Sequence, residues 1–289
     1  MPPSCGRRNR ALCVVLAVLA WPAHAEMELT GRLQQGGLVM GHVPPDSGVS
    51  IDGRPVPVDS GGAFLLGFGR DAAPAAILEI RRGVTIEAHP LVIARRDWPV
   101  QRIEGLPRDK AEPDPVAVAR IKTEADLLRA LRAKVSGEAL FLTGLSRPAT
   151  GIVSGVFGSQ RVYNGNAGAP HSGLDIAAAK GEPVRAAADG VVVLAAPDLF
   201  LTGQTVMIDH GLGLMSSYAH LSRLDVAPGR KVGRGEVIGA IGATGLATGA
   251  HLHWGMSWLE VRIDPASALD LLGESGSSLI PTKQKAQKE

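Results

Sequence analysis

Three short stretches of this sequence carry histidine and aspartate side chains at spacings that could bind a metal ion or move a proton. His251 and His253 flank a leucine in TGAHLHWG, and His171 and Asp175 lie in PHSGLDI. His220 stands in SYAHL, so five of the eight histidines fall between residues 171 and 253. Neutral imidazole is a common zinc ligand, and carboxylate oxygens also bind zinc.

The two pairs place different demands on the backbone. His251 and His253 would project from one face of a β-strand, because alternate strand residues share a face. His171 and Asp175 would lie about 13 Å apart in a straight strand and could not share an ion bonded at about 2.1 Å. The flanking Ala169-Pro170 and Ser172-Gly173 therefore predict a loop or bent strand, with Gly173 supplying unusual backbone angles. Neither pair alone distinguishes a metal site from half-buried structural side chains.

The motifs together resemble the lysostaphin-type (LytM-like) zinc endopeptidases that cut bacterial peptidoglycan. His171-Ser-Gly-Leu-Asp175, Tyr218-Ala-His220-Leu221 and His251-Leu-His253 occur in the order and rough spacing of that family. The stretches KGEPVRAAADGVVV and GRGEVIGAIGATGLATGAHLHW are also similar to it. The resemblance covers about residues 152–264, and the first 145 residues contribute little to it.

The resemblance implies a role for each matching residue. His171, Asp175 and His253 would bind one Zn²⁺ per chain, and three protein ligands leave the fourth position open, as a catalytic zinc requires. His251 and His220 would stand beside the metal without binding it. Our preferred assignment makes His251 the general base and His220 the group that stabilises the oxyanion, although the two roles could be exchanged or shared. No H-E-x-x-H motif is present, which excludes a thermolysin-like site.

Other polar residues in this region have simpler interpretations. We interpret His210 as structural and Asp209 as a turn or packing residue. Tyr218 precedes His220 by two residues, so we expect both on one strand face, where Tyr218 either bonds to the site or packs. His42 and His89 have no nearby ligand partner and are interpreted as ordinary histidines. No G-x-x-x-x-G-K-[S/T] motif accompanies the glycine-rich stretches, so nucleotide binding is not expected.

The pattern of strands and turns predicts a mainly β protein. Residues 26–106 are predicted to form a small β domain. We expect a loosely immunoglobulin-like sandwich with a hairpin turn at Asp52-Gly53. Residues 107–147 are predicted to form a linker and a helix. Residues 148–271 are predicted to form an antiparallel β-sheet metallopeptidase domain. Residues 272–289 are polar and predicted to be disordered.

Two elements can be placed more closely. A helix is predicted over about 115–135, with Asp114 as its cap and Pro115 at its first position. Its simplest role is a spacer packed on one domain, and a partner helix or a lid is the alternative. Pro183–Val193 is predicted to be one strand, as are shorter runs within 205–209, 215–221 and 237–241.

Residues 1–25 read as a secretory signal. Arg7, Arg8 and Arg10 precede an apolar run, and Ala23-His24-Ala25 fits the small-residue cleavage rule. We therefore expect a periplasmic or secreted protein without a transmembrane segment after cleavage. The mature chain would lose both cysteines and keep 27 basic and 28 acidic residues. This near balance gives no electrostatic reason to expect nucleic-acid binding.

The sequence thus predicts an exported zinc endopeptidase that hydrolyses peptide bonds in peptidoglycan during cell-wall remodelling. The alternative is a non-catalytic wall-binding regulator that activates another wall hydrolase, for which loss of zinc ligands would be the sign. No such loss is seen. The bond could lie in a stem-peptide cross-link or a glycine-type bridge. The N-terminal part could bind wall or block the site, and a wall enzyme could be a partner.

Overall fold

The computed structural model describes residues 29–103, 114–163 and 165–273. The predicted signal, and the predicted tail beyond Gly273, lie outside these residues. The described strands are β1 (Leu29–Gly31), β2 (Leu38–His42), β3 (Gly48–Ile51), β4 (Arg54–Val56), β5 (Ala63–Gly67), β6 (Ala75–Arg82), β7 (Thr85–Val92), β8 (Val100–Ile103), β9 (Ile152–Gly155), β10 (Gln160–Tyr163), β11 (Asn166–Ala167), β12 (Leu174–Ala177), β13 (Pro183–Arg185), β14 (Gly190–Leu199), β15 (Gly203–Gly211), β16 (Leu214–Leu224), β17 (Lys231–Val232), β18 (Val237–Ile241), β19 (His251–Trp258) and β20 (Val261–Ile263). The helices are α1 (Pro115–Arg132) and α2 (Pro265–Leu272), and a short 3₁₀ turn spans Leu140–Thr143.

The N-terminal strands form two antiparallel sheets. One has the order β1-β2-β5 and the other the order β4-β3-β6-β7. Asp52 and Gly53 join β3 to β4 with φ values of +48° and +74°, the left-handed angles that a tight hairpin turn requires. The turn predicted at Asp52-Gly53 is therefore confirmed. The immunoglobulin-like description and the domain boundaries stay predictions.

The C-terminal half is built on one ten-stranded antiparallel sheet, as predicted. Its main path runs β17-β14-β15-β16-β19-β12-β9, and β13, β18 and β20 pair at its side. The prediction of one strand over Pro183–Val193 is wrong. The chain leaves β13, which pairs with β18, and begins β14 at Gly190 to pair with β15 and β17. The predicted strand is therefore two strands with different partners, and the local sequence pattern does not show which strands will pair.

Helix α1 has the predicted start. The Asp114 carboxylate accepts a hydrogen bond from the Ala117 amide at 2.7 Å, and Pro115 occupies the first turn. Only Leu131 of the helix is buried, and it packs with Met207 and Met215 of the sheet. The expectation that the helix packs on a domain is thus confirmed for its C-terminal end.

The two halves of the chain contact each other directly. The Leu38 amide donates to Ser267 Oγ at 3.0 Å, and Arg96 forms a 2.8 Å ion pair with Asp264. Strand β8 pairs in parallel with β10, and buried residues of both halves belong to one hydrophobic core. Across the described residues, neither helix has the length and apolarity needed to cross a bilayer.

Candidate metal centre

Three of the five predicted site residues converge on one point of the C-terminal sheet. Asp175 on β12 lies directly opposite His253 on β19, so both side chains project from the same face. His171 lies in the loop before β12, as its spacing from Asp175 required. The distances are 2.9 Å from His171 Nε2 to Asp175 Oδ1, 3.0 Å from His171 Nε2 to His253 Nδ1, and 2.8 Å from His253 Nδ1 to Asp175 Oδ1.

The protonation of His171 makes this triangle suited to a cation. His171 Nδ1 lies 3.0 Å from the Val156 carbonyl oxygen, which can only accept a hydrogen bond. Nδ1 therefore carries a proton, and in this tautomer the Nε2 lone pair points at the other two ligand atoms. Ligands of a tetrahedral zinc at about 2.0–2.1 Å are roughly 3.3 Å apart, a few tenths of an ångström more than observed here. The donor set, two imidazoles and a carboxylate, fits zinc.

The electrostatics of the cluster keep Asp175 ionised. Burial raises the pKa of Asp175, but its close contacts with the His171 and His253 rings outweigh burial, and the pKa falls well below its usual range. Burial lowers the pKa of His253 and is only partly opposed by Asp175. The ionised form of Asp175 and the neutral form of His253 are thus favoured, and these are the forms in which the two groups bind a metal.

Two glycines make room for the cluster. A Cβ at Gly155 on β9 would lie 2.5 Å from Asp175 Oδ2, and one at Gly173 would lie 2.9 Å from His253 Nε2. Gly173 is not among the glycines with positive φ, so the expectation that it supplies unusual backbone angles is wrong. Its role is to allow close approach of the Trp254 carbonyl oxygen, which would lie 2.4 Å from such a Cβ, and of the His253 ring. Gly155 was not predicted from the sequence, because its importance depends on its cross-strand contact with Asp175.

Arg161 on β10 joins the site without any signal in the sequence. Its Nη2 lies 2.9 Å from Asp175 Oδ2, the carboxylate oxygen that does not face the two histidines. Arg161 therefore holds the carboxylate in the orientation that leaves Oδ1 in the triangle. Such partners behind a ligand set its orientation and its basicity.

His220 and His251 stand beside the triangle, 4.7 Å apart between ring centroids. His251 Nε2 is 3.9 Å from Asp175 Oδ1, farther than the 2.8–3.0 Å between the three ligand atoms, and His251 is not one of the three clustered residues. His220 Nδ1 is 2.8 Å from the Thr244 carbonyl oxygen and His251 Nδ1 is 2.9 Å from that of Gly249. Both rings therefore carry the proton on Nδ1 and present Nε2 as an acceptor. Burial lowers the pKa of His220 to about 4, so this ring is neutral near pH 7.

A β-bulge brings His220 to this face. Gln204 and Val206 of β15 lie opposite Leu221 and Tyr218 of β16, so β16 holds one extra residue there, and His220 has a φ of +63°. The expectation that Tyr218 shares a face with His220 is therefore wrong. Tyr218 pairs with Trp254 and points into the core, and the bulge reverses the alternation before His220.

Tyr218 and His210 belong to a buried hydrogen-bond network. The Ala187 amide donates to Tyr218 Oη at 2.8 Å, and Ser216 Oγ lies 2.9 Å from Tyr218 Oη and 2.7 Å from His210 Nε2. His210 Nδ1 donates to the Asp189 carbonyl oxygen at 2.7 Å. Burial lowers the pKa of His210, which favours the neutral ring that this arrangement requires. These contacts support a structural role for His210.

Comparisons with known proteins agree with this site. The sequence pattern of peptidase family M23 matches residues 169–265. A crystal structure from Pseudomonas aeruginosa assigned to peptidase M23 aligns with a TM-score of 0.64 and 30% identity, over 82% of this chain and 95% of that one.

Two curated relatives are similar over about two fifths of this chain. The peptidoglycan DD-endopeptidase ShyA of Vibrio cholerae is 43% identical over 119 residues, which are 41% of this chain and 26% of ShyA. The DD-carboxypeptidase/endopeptidase Mpg of Neisseria meningitidis is 40% identical over 120 residues, 40% of this chain and 27% of Mpg. This chain therefore spans about a quarter of the length of these relatives.

An antiparallel sheet that brings two histidines and an aspartate together, with two further histidines beside them, defines a metallopeptidase-like centre. The chain belongs to peptidase family M23, the LytM-type peptidases. The family resemblance expected from the sequence is confirmed.

Proposed function

We propose that this protein is an exported zinc-dependent endopeptidase that hydrolyses peptide bonds in bacterial peptidoglycan. The observation that carries the proposal is the triangle of His171 Nε2, Asp175 Oδ1 and His253 Nδ1, whose sides measure 2.8–3.0 Å. The name of ShyA specifies peptidoglycan, and the names of ShyA and Mpg both specify D,D bonds, which supports the substrate. Export would follow from the signal predicted over residues 1–25, and would place the protein with its substrate.

In this proposal His171, Asp175 and His253 hold one zinc ion, which when bound supplies Lewis-acid catalysis to the scissile carbonyl. His251 acts as the general base, because its Nε2 carries the lone pair and faces the ligand triangle. The Nδ1–H bond to the Gly249 carbonyl keeps the ring in that tautomer.

We assign stabilisation of the oxyanion to His220. Its Nδ1 proton is committed to the Thr244 carbonyl oxygen, so Nε2 can donate to an anion only after the ring gains a second proton. The His251 ring, 4.7 Å away, would be the source of that proton, and the developing negative charge of the oxyanion would have to offset the low pKa of His220. If His251 and His220 exchanged these roles, the order of the activity losses on replacing each histidine singly would be reversed.

The scissile bond we favour lies in a stem-peptide cross-link. The D,D specificity in the names of both relatives supports this choice over a glycine-type bridge, because glycine has no D or L form.

The test is release of new amino groups from purified peptidoglycan. We compare metal-free protein, zinc-restored protein and the zinc-restored His253→Ala variant, with His42→Ala as the control because His42 is exposed on the N-terminal sheet. We expect release only with zinc, its loss in His253→Ala and its retention in His42→Ala. Product masses identify the bond. Stoichiometric zinc binding without release would contradict the enzyme and favour the regulator of another wall hydrolase.

A further inference from the structure

A strip of the sheet lies between the metal cluster and helix α1. His253, Gly255 and Ser257 alternate on one face of β19, and their β16 partners are Ala219, Ser217 and Met215. Leu131 of α1 packs on Met215, so the helix crosses this face about two side-chain steps from the metal cluster. The part between them carries only the small residues Ser217 and Gly255, so no bulky side chain of β16 or β19 covers it.

Arg262 on β20 extends over this part of the sheet face. It lies directly opposite Ser257, and therefore on the same face as His253. A Cβ at Gly255 would lie 3.5 Å from Arg262 Nη1 and 2.6 Å from Ser217 Oγ. Because Gly255 has no side chain, the guanidinium can lie flat across the sheet and reach toward the cluster. The Ser172 carbonyl oxygen, in the loop that carries His171, would be 3.7 Å from the same Cβ.

The charge of Arg262 is not neutralised by the described residues around it. Among these residues its guanidinium has no side-chain hydrogen bond and no ion pair, and burial lowers its pKa to about 10, with the nearby Arg132 of α1 also lowering it. Burial likewise lowers the pKa of Arg132, whose Nε is buried without a partner in the described residues. The charge of Glu260 acts in the opposite direction and raises the pKa of Arg132. Such a partly buried cation favours an anionic ligand.

We propose that Arg262 is a specificity-determining residue that binds a free carboxylate on the residue following the scissile bond. This inference rests on the proposed function and deepens it. A guanidinium presents a planar fork that matches a carboxylate. Its position over Gly255 is one side-chain step, roughly 7 Å, from the His253 backbone. Since an extended chain advances about 3.3–3.6 Å per residue, a carboxylate there lies one or two residues from a bond held at the metal cluster.

This subsite distinguishes two kinds of cross-link. In a direct link from D-alanine to the D-centre of diaminopimelate, the residue after the scissile bond keeps a free carboxylate at that centre. In a glycine bridge the residue after the bond continues through another amide and offers no such charge. Arg262 therefore selects the direct stem-peptide link.

The experiment uses a synthetic cross-linked peptide in two forms, with a carboxylate or a carboxamide at the D-centre of diaminopimelate. We measure kcat/KM with zinc-restored wild-type protein, Arg262→Gln and Arg262→Lys. Arg223→Gln is the control, because Arg223 is exposed and paired with Asp225. Binding of both peptides to the metal-free proteins is measured by calorimetry, and circular dichroism checks the fold.

We expect wild type to cleave the carboxylate form about 10- to 100-fold faster than the carboxamide form, the range for one charge-assisted hydrogen-bonded pair. Arg262→Gln should bring the ratio near one mainly by slowing the carboxylate form, Arg262→Lys should give an intermediate ratio, and Arg223→Gln should keep it. Equal cleavage of both forms by wild type, or a preference retained in Arg262→Gln, would overturn the inference.

If wild type cleaves neither form, the proposed function fails and the calorimetry decides about Arg262. Tighter binding of the carboxylate form, lost in Arg262→Gln, would support the subsite, and equal binding of both forms would refute it. If Arg262→Gln does not fold, the ratio measured with Arg262→Lys takes its place, and an unchanged ratio there counts against the proposal.

Discussion

Replacing Arg161 by glutamine should weaken zinc binding without removing any of the three metal ligands. The Arg161 guanidinium lies 2.9 Å from Asp175 Oδ2, and the side chains are only 23% and 9% exposed, so solvent screens the pair incompletely. A hydrogen bond between charged groups contributes about 1.5–3 kcal/mol. At about 1.4 kcal/mol per tenfold change, this corresponds to a 10- to 100-fold loss of zinc affinity.

Two effects oppose each other in this variant. Without Arg161 the Asp175 carboxylate carries more unshared negative charge, which attracts a cation more strongly. However, Oδ2 then loses its charged partner and the carboxylate is free to turn away from the geometry that directs Oδ1 at the two histidines. We expect the loss of orientation to dominate, since partners behind metal ligands typically affect affinity 10- to 100-fold.

The assay is competition for zinc between the protein and a chromophoric chelator, for wild type, Arg161→Gln and Arg161→Lys. The lysine variant keeps the charge but lacks the planar fork, so its affinity should lie between the other two. Arg223→Gln removes an exposed arginine of the ten-stranded sheet and should bind zinc as wild type does. Equal or tighter zinc binding by folded Arg161→Gln would refute the reasoning.

Three further substitutions test the packing around the site. Gly155→Ala should weaken zinc binding at least about tenfold, because the new Cβ would lie 2.5 Å from an oxygen of the metal-cluster carboxylate. Ser216→Ala should lower the free energy of unfolding by about 1–3 kcal/mol, since it leaves buried His210 Nε2 without its partner. Leu131→Ala should cost about 2 kcal/mol, the low end for a buried leucine, while exposed Leu127→Ala should cost less than about 0.5 kcal/mol.

The matched controls separate local effects from general damage. Gly137→Ala adds a Cβ that meets nothing within 4 Å, so zinc binding should be unchanged. Ser222→Ala removes a half-buried hydroxyl bonded to the Ile241 carbonyl oxygen and should cost less than Ser216→Ala in urea unfolding. Normal zinc affinity in Gly155→Ala would contradict the predicted clash with Asp175. Equal unfolding free energies for Ser216→Ala and Ser222→Ala would contradict the importance of the bond to His210, and equal values for Leu131→Ala and Leu127→Ala would contradict the packing of Leu131.

Local chemistry alone determined much of this protein. The alternation of His251 and His253 follows from the two-residue period of a strand, and the turn at Asp52-Gly53 from the left-handed angles that these residues tolerate. The start of α1 follows from a capping carboxylate before a proline. The spacing of His171 and Asp175 demanded a bend. Each of these features depends on residues within a few positions of one another, so the sequence displays it directly.

Tertiary structure decided the features that depend on strand pairing. The bulge that turns His220 toward the cluster, and Tyr218 into the core, arises from the register between β15 and β16. Gly173 and Arg161 acquire their roles by contacting side chains on other strands. Arg262 lies on the same sheet face as His253 because β20 pairs in regular register with β19. Cross-strand neighbours are set by long-range pairing, and the two-residue alternation of a strand carries no information about which residue lies opposite.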